Sequence, residues 1–250
     1  IIAAGGSMDL DGDSDIQVAL RNVDVKQFIP LIGKDINATG SVTGVVNMTG
    51  KTQNPKIELS ASLVDGSFNG VSIDQAFMLA TMENRVINIQ RIQGDKGVYK
   101  LSAYGKIPLA AIYTSGYLDA NDSKAMDMTI DFNDADMAVL PLMLSSVKDA
   151  TGQLKGLVHI TGTIDQPEAY GTVSIRNGMI SIDKIGNPIN NIDADLIFSG
   201  QQGDFQSRFI MGKGTAGLAA KVNWEGHIMT NYRMAAQLEG IDLANEYVSG

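Results

Sequence analysis

Cysteine is absent from all 250 residues. That excludes a disulfide framework, a thiolate zinc site and a thiol nucleophile, and it leaves the compartment open, because many periplasmic proteins also carry no disulfide. Histidine is scarce, with only His159 and His227, and no catalytic triad can be argued from them. No apolar run approaches the roughly 20 residues that a membrane-spanning helix needs. Positive charge is also short: 19 Lys and Arg against 28 Asp and Glu give a formal charge of −9 and a pI near 4.6. A polyanion such as nucleic acid would need clustered Lys and Arg, and none are clustered here. The chain has no initiator Met and no signal peptide, and it opens in the middle of a strand pattern. We read it as a piece of a longer protein whose targeting segment lies elsewhere.

Glycine is abundant, with 27 residues, and it is ordered into a repeat. Ala38 to Pro55 reads ATGSVTGVVNMTGKTQNP, and Ala150 to Pro167 reads ATGQLKGLVHITGTIDQP. Gly40, Gly44, Val46, Thr49, Gly50 and Pro55 return without a gap as Gly152, Gly156, Val158, Thr161, Gly162 and Pro167. The same displacement carries Ser62 and Gly66 onto Ser174 and Gly178, and the Asp15 segment onto the Asp127 segment. Side-chain parity is kept as well. Val42, Val46 and Met48 match Leu154, Val158 and Ile160, while Asn47 and Thr49 on the alternate face match His159 and Thr161. A slip of one residue would turn every apolar side chain to the wrong face, so conserved parity argues for one structural unit written twice. The organisation expected is one continuous array over 1–250, with repeat one at 15–126, repeat two at 127–230 and the start of a third at 231–250.

Period-two alternation dominates, as in Ile57, Leu59, Ala61 and Leu63, or Leu218, Ala220, Val222 and Trp224. Asp65-Gly66 and Asn177-Gly178 read as two-residue turns joining antiparallel strands. Three segments break the pattern. Asp24 opens DVKQFIPLIG, with Val25, Phe28, Ile29 and Ile32 at helical spacing before Gly33; Asp136 opens DMAVLPLMLSSV, with Val139, Leu140, Met143 and Leu144 on a stripe; and Asp242 opens DLANEY. An aspartate that caps first-turn amides explains all three. The spaced acids Asp9, Asp11, Asp13 and Asp15 lack the loop glycine and bidentate Glu of a calcium loop, and they read as the wet face of a strand. Pairs such as Asp193/Asp195 and Asp134/Asp136 read the same way, not as acid and base. The clusters Gly5-Gly6 and Gly212/Gly214/Gly217 lack the Lys-Ser/Thr of a phosphate loop and read as turns or bulges.

The pattern predicts an all-β protein of about 18 to 20 strands, each roughly five to eight residues, with short helical inserts. One face of nearly every strand is apolar and must be hidden. An open sheet beyond roughly ten strands tends to curl, and a curled sheet of this length, about 90 Å at the usual strand spacing, shelters its own inner face. The expected architecture is therefore an elongated curled β-sheet forming a hydrophobic groove. A parallel β-helix is the structural rival, but its coil period is roughly 20 residues.

Gly152, Gly156, Val158, Ile160, Gly162, Pro167, Gly171 and Gly178 spell a glycine and alternation pattern that resembles the AsmA-like family, and TamB-like translocation and assembly proteins within it. The resemblance covers nearly the whole chain, but it carries no catalytic signature. It implies a β-taco fold in the periplasm of a diderm bacterium, with an inner-membrane anchor in a segment not present here. It further implies phospholipid transport between the membranes, assistance to outer-membrane protein assembly, or both. The implied partners are phospholipid acyl chains or unfolded outer-membrane protein strands, and an outer-membrane TamA-like barrel met through a part of the protein not identifiable here. No enzyme activity, cofactor or metal is expected. Val46, Met48, Ala61, Leu63, Val158, Ile160, Val173, Ile175, Val222 and Trp224 are the candidate groove lining. The twelve methionines suit such an adaptable apolar surface, or equally a core. A charge at Ile160 or Val173 is expected to leave the fold largely intact and to block an acyl chain. Two other classes stay open, an extracellular β-solenoid adhesin or structural repeat protein, and a repetitive polysaccharide lyase or hydrolase.

Overall fold

A computed structural model of the chain describes residues 1–28, 37–68, 71–96, 99–112, 123–143, 146–183 and 187–241. Alternation is realised as strands: β1 Ile2–Met8, β2 Asp13–Asp24, β3 Ala38–Lys51, β4 Lys56–Phe68, β5 Val71–Glu83, β6 Val86–Lys96 and β7 Tyr99–Pro108. There follow β8 Asp127–Asp136, β9 Val147–Gly162, β10 Pro167–Ile182, β11 Ile189–Gly200, β12 Gln202–Met211, β13 Gly214–Glu225 and β14 Ile228–Glu239. These 14 described strands form one antiparallel sheet, ordered along the sheet as along the chain. The sheet does not close, and β1 and β14 are the outermost of the described strands. Antiparallel pairing between chain neighbours is not the pattern of a parallel β-helix.

The strands are fewer and longer than the sequence pattern predicts, because residues that read as breaks lie inside strands as bulges. Asp65 alone of its dipeptide has positive φ (49°), whereas a primed two-residue turn needs it at both central positions. The β3/β4 register passes from Thr39 opposite Ser67 to Ser41 opposite Val64, so Asp65 and Gly66 together face Gly40. Two residues against one is a β-bulge. In β10, Arg176 and Asn177 (φ 51°) face Asp193 in the same way, and the Asn177 amide donates to the Asp193 carboxylate at 3.1 Å. A further bulge stands at Asn22 (φ 49°), which exchanges hydrogen bonds with Thr43.

The capping aspartates behave as the sequence predicts. Asp24 accepts from the Lys26 amide at 2.9 Å and opens a 3₁₀ turn at Val25–Gln27; Asp136 accepts from the Ala138 amide at 2.7 Å and opens Met137–Val139, continued by Leu140–Met143. Ile29, Ile32 and Gly33, Leu144, and the Asp242 segment lie outside the described residues.

Two compact units are present: residues Ile1–Ile130 with Ile160–Ile164, and residues Asp131–His159 with Asp165–Gly250. In the first, cross-strand partners form apolar rows. Val18, Val46, Leu59, Ala80 and Ile89 succeed one another across β2 to β6, and Ile16, Met48, Ile57, Met82, Ile87 and Ile107 across β2 to β7. The alternate face carries rows such as Gln17, Asn47, Glu58, Thr81 and Asn88, which belong in water. In the second unit the corresponding rows are Val173, Leu196, Phe205, Ala220 and Met234, and Ile175, Ala194, Ser207, Leu218 and Ala236.

Candidate functional site

Several charged groups on this sheet are held by local partners. Asp195 binds the Arg176 guanidinium at 2.8 Å, Asp13 pairs with Lys51, and Asp9 accepts from the Asp11 amide. Among the described residues there is no cluster of three or more His, Cys, Asp or Glu able to hold a metal ion, and no helix long and apolar enough to cross a membrane. One carboxylate departs from its ordinary titration. Partial burial pushes Asp95 up, but amide donors from Gln75 (2.9 Å) and Gln93 (2.8 Å), helped by the charge of Lys100, outweigh it and hold its pKa below the usual 3.8. This stabilises the β5/β6 edge of the polar face and implies no chemistry.

The first unit's apolar face is the candidate surface. Val46 and Met48 on β3, and Ala61 and Leu63 on β4, lie on one face: Val46 opposes Leu59, Met48 opposes Ile57, Ala61 opposes Gly44 and Leu63 opposes Val42. All four are half-buried. So are Val18, Ile57, Leu59, Met78 and Met82 around them, and Ile92 on the same face is 37% exposed. Full burial on these rows is confined to a few positions such as Val23, Ala80 and Ile89.

The second unit treats the matching positions differently. Val158, Val173 and Ile175 are exposed by only 6%, 7% and 8%, so they belong to a closed core with Leu154, Ile192 and Ala194. Its lid is local. Met137 follows the Asp136 cap and is 1% exposed; its sulfur lies where side chains on Gly152 and Gly178 would have to go, at 3.3 and 2.6 Å from their Cβ positions. Asp136, itself 4% exposed, fastens that turn by accepting from the Gly152 amide at 3.0 Å as well as from Ala138. Gly156 makes the close approach beneath it, since a Cβ there would collide with the Thr172 carbonyl oxygen and φ is +148°. The expectation that a charge at Val173 is tolerated is therefore corrected: an unpaired charge in a closed core is not solvated. Ile160 stays half-buried.

Openness returns across the same rows. From Val173 through Leu196, Phe205 and Ala220 the side chains become half-buried, and Met234 on the edge strand is 62% exposed. Val222 and Trp224 lie in this open part. Trp224 meets Phe198 edge to face, with ring centroids 6.4 Å apart, and rests on Gly203, whose missing side chain leaves room for the indole. One polar atom is stranded there, the buried Ser207 hydroxyl, which has no hydrogen-bond partner among the described residues.

Sequence reasoning missed the difference in depth between the units. Leu59, Met78, Phe198 and Phe205 were not singled out, although their alternation was visible; the cross-strand register that groups them was not. Met137 gave a signal in the Asp136 cap, but nothing in the sequence said that its side chain would fold down over glycines. No protein-family model, curated protein or solved structure matches the chain.

Proposed function

We propose that the protein is a non-enzymatic β-groove segment that carries acyl chains of phospholipid along its apolar face, as a periplasmic TamB-like or AsmA-like envelope protein would. In this reading the antiparallel sheet curls into a taco-like groove built from ~110-residue repeats, and an outer-membrane barrel partner is met elsewhere in the longer protein. One observation carries it: two rows of apolar side chains, five and six residues wide, cross the first unit, and all but Ala80 and Ile89 stay partly exposed, whereas the alternate face mixes polar rows with exposed Val45, Phe77 and Leu79. Water is a poor permanent partner for such a surface, and exposed apolar area beyond a few hundred Å² marks a binding site. An alkyl chain needs no directional contact, which fits rows that carry no polar side chain.

The test is lipid extraction from the purified chain followed by mass spectrometry. Phospholipid should co-purify with the wild type and be lost in Leu59→Asp, with the circular dichroism spectrum unchanged. A delipidated wild-type preparation that fails to take up phospholipid from vesicles would overturn the reading.

A further inference from the structure

The chain holds one tryptophan, Trp224. Its backbone N–H donates to the Gln201 carbonyl at 3.0 Å, and Met229 stands opposite it on β14. Two carbons of its six-membered ring lie over Gly203, 3.2 and 3.8 Å from where a side chain there would begin, and the ring meets Phe198 edge to face. Those two carbons are the ones most remote from the indole nitrogen, so the apolar end of the ring is seated and the N–H end is turned away. The N–H has no hydrogen-bond partner among the described residues, and it is not buried. An indole nitrogen can only donate, and a ring with a seated body and a wet tip suits a boundary between apolar and polar surroundings. Such a boundary is here. On one side Leu196, Phe198, Phe205 and Val222 share the face of Trp224 and are half-buried; on the other lie the turns at Ser199 to Gln202 and Glu225 to His227. None of this depends on an outermost strand, because β11, β12 and β13 each have a neighbour on both sides.

We infer that Trp224 is the ester anchor of a phospholipid site on the second unit's open face: its indole N–H donates to an acyl ester carbonyl, and the acyl chain runs from there over Phe198, Phe205 and Leu196. The inference rests on the lipid-carriage reading and adds to it a fixed depth and one polar contact. A bare hydrocarbon would cover the rings and leave the N–H unmatched. A phospholipid supplies both parts in the order the face presents them, a hydrocarbon chain for the half-buried rings and a carbonyl acceptor at its head. The reverse orientation finds no donor, since the chain would then place its ester toward Val173 and Ala194, which are 7% and 2% exposed. The Ser207 hydroxyl, also unpartnered on this face, is buried and out of a ligand's reach.

With a single tryptophan, fluorescence reports this one place. The wild type, loaded with phosphatidylcholines brominated near the carbonyl, at mid-chain or near the chain end, should lose most emission to the first label and least to the last. Uptake from vesicles is the second measurement. Diacyl phosphatidylcholine should be favoured over its diether analogue, which keeps the chains and lacks the carbonyls, by roughly three- to tenfold, the worth of one hydrogen bond. Trp224→Phe keeps a ring against Phe198 and removes the donor, so it should take up both lipids equally, at the level of the wild type with the ether. A wild type that takes up neither lipid overturns lipid carriage and this inference together. Uptake with no preference for the ester, quenching that is greatest with the chain-end label or equal for all three, or an ester preference that survives in Trp224→Phe overturns the Trp224 assignment and leaves carriage standing. Should that variant fail to fold, the quenching order in the wild type decides.

Discussion

Val46 and Val158 occupy matching places in the two copies of one glycine pattern, yet Val46 is half-exposed and Val158 is closed off at 6%. Ala61 and Leu63 stand in the same relation to Val173 and Ile175. Much of the backbone is alike, although Gly156 takes a positive φ of 148° and Gly44 does not. Gly40 and Gly152 take φ of 127° and 133°, Gly50 and Gly162 take 89° and 79°, and Asp65 and Asn177 take 49° and 51°. What differs is the cover. In the second unit Met137 drops its sulfur over Gly152 and Gly178, and buried Asp136 ties down the turn; in the first, half-buried Val25 and exposed Asp24 hold the corresponding places, and Leu63 fills the space over Gly40 and Gly66. One strand scaffold thus carries a partly exposed face in one unit and a packed core in the other.

The largest test of that difference is charge. Val173→Arg should unfold the second unit, since a buried unpaired charge costs several kcal/mol. Leu59→Arg in the first unit should lower the melting temperature only slightly, because a long cationic side chain can keep its head in water there. Equal losses would show that both faces are closed.

A smaller contrast separates the capping aspartates. Asp136→Ala removes two hydrogen bonds from a buried carboxylate and strands the Gly152 amide, so about 2 to 3 kcal/mol should be lost in urea unfolding. Asp24→Ala removes one exposed cap and should cost about 0.5 to 1 kcal/mol. If the two costs match, the buried tie to Gly152 is not what closes the second unit.

The smallest effect is pH-dependent and confined to the first unit. Asp95 titrates below its ordinary value when folded, so it contributes stability that is present above 3.8 and lost as pH falls through the folded pKa. Because the group is largely solvated, the contribution is a fraction of a kcal/mol. Asp95→Asn should lower the first unit's stability at neutral pH by that fraction, leave it unchanged at acid pH, and so flatten the acid limb slightly.

The all-β class, the apolar face and the capping aspartates could be read from the chain, because alternation and an Asx cap are local: each needs only neighbours in sequence. Strand length was misread at Asp65-Gly66 and Asn177-Gly178, where a dipeptide compatible with a turn becomes a bulge once Gly40 or Asp193 stands across from it. Whether such a dipeptide turns the chain or bends a strand is settled by the partner strand, which lies dozens of residues away. The same limit applies to the site. The sequence by itself determined which side chains share a face, because a strand alternates with period two whatever surrounds it. Only the tertiary structure decided which of those faces stays open, because the depth of a side chain depends on what packs against it from segments distant in sequence, and no periodicity encodes that.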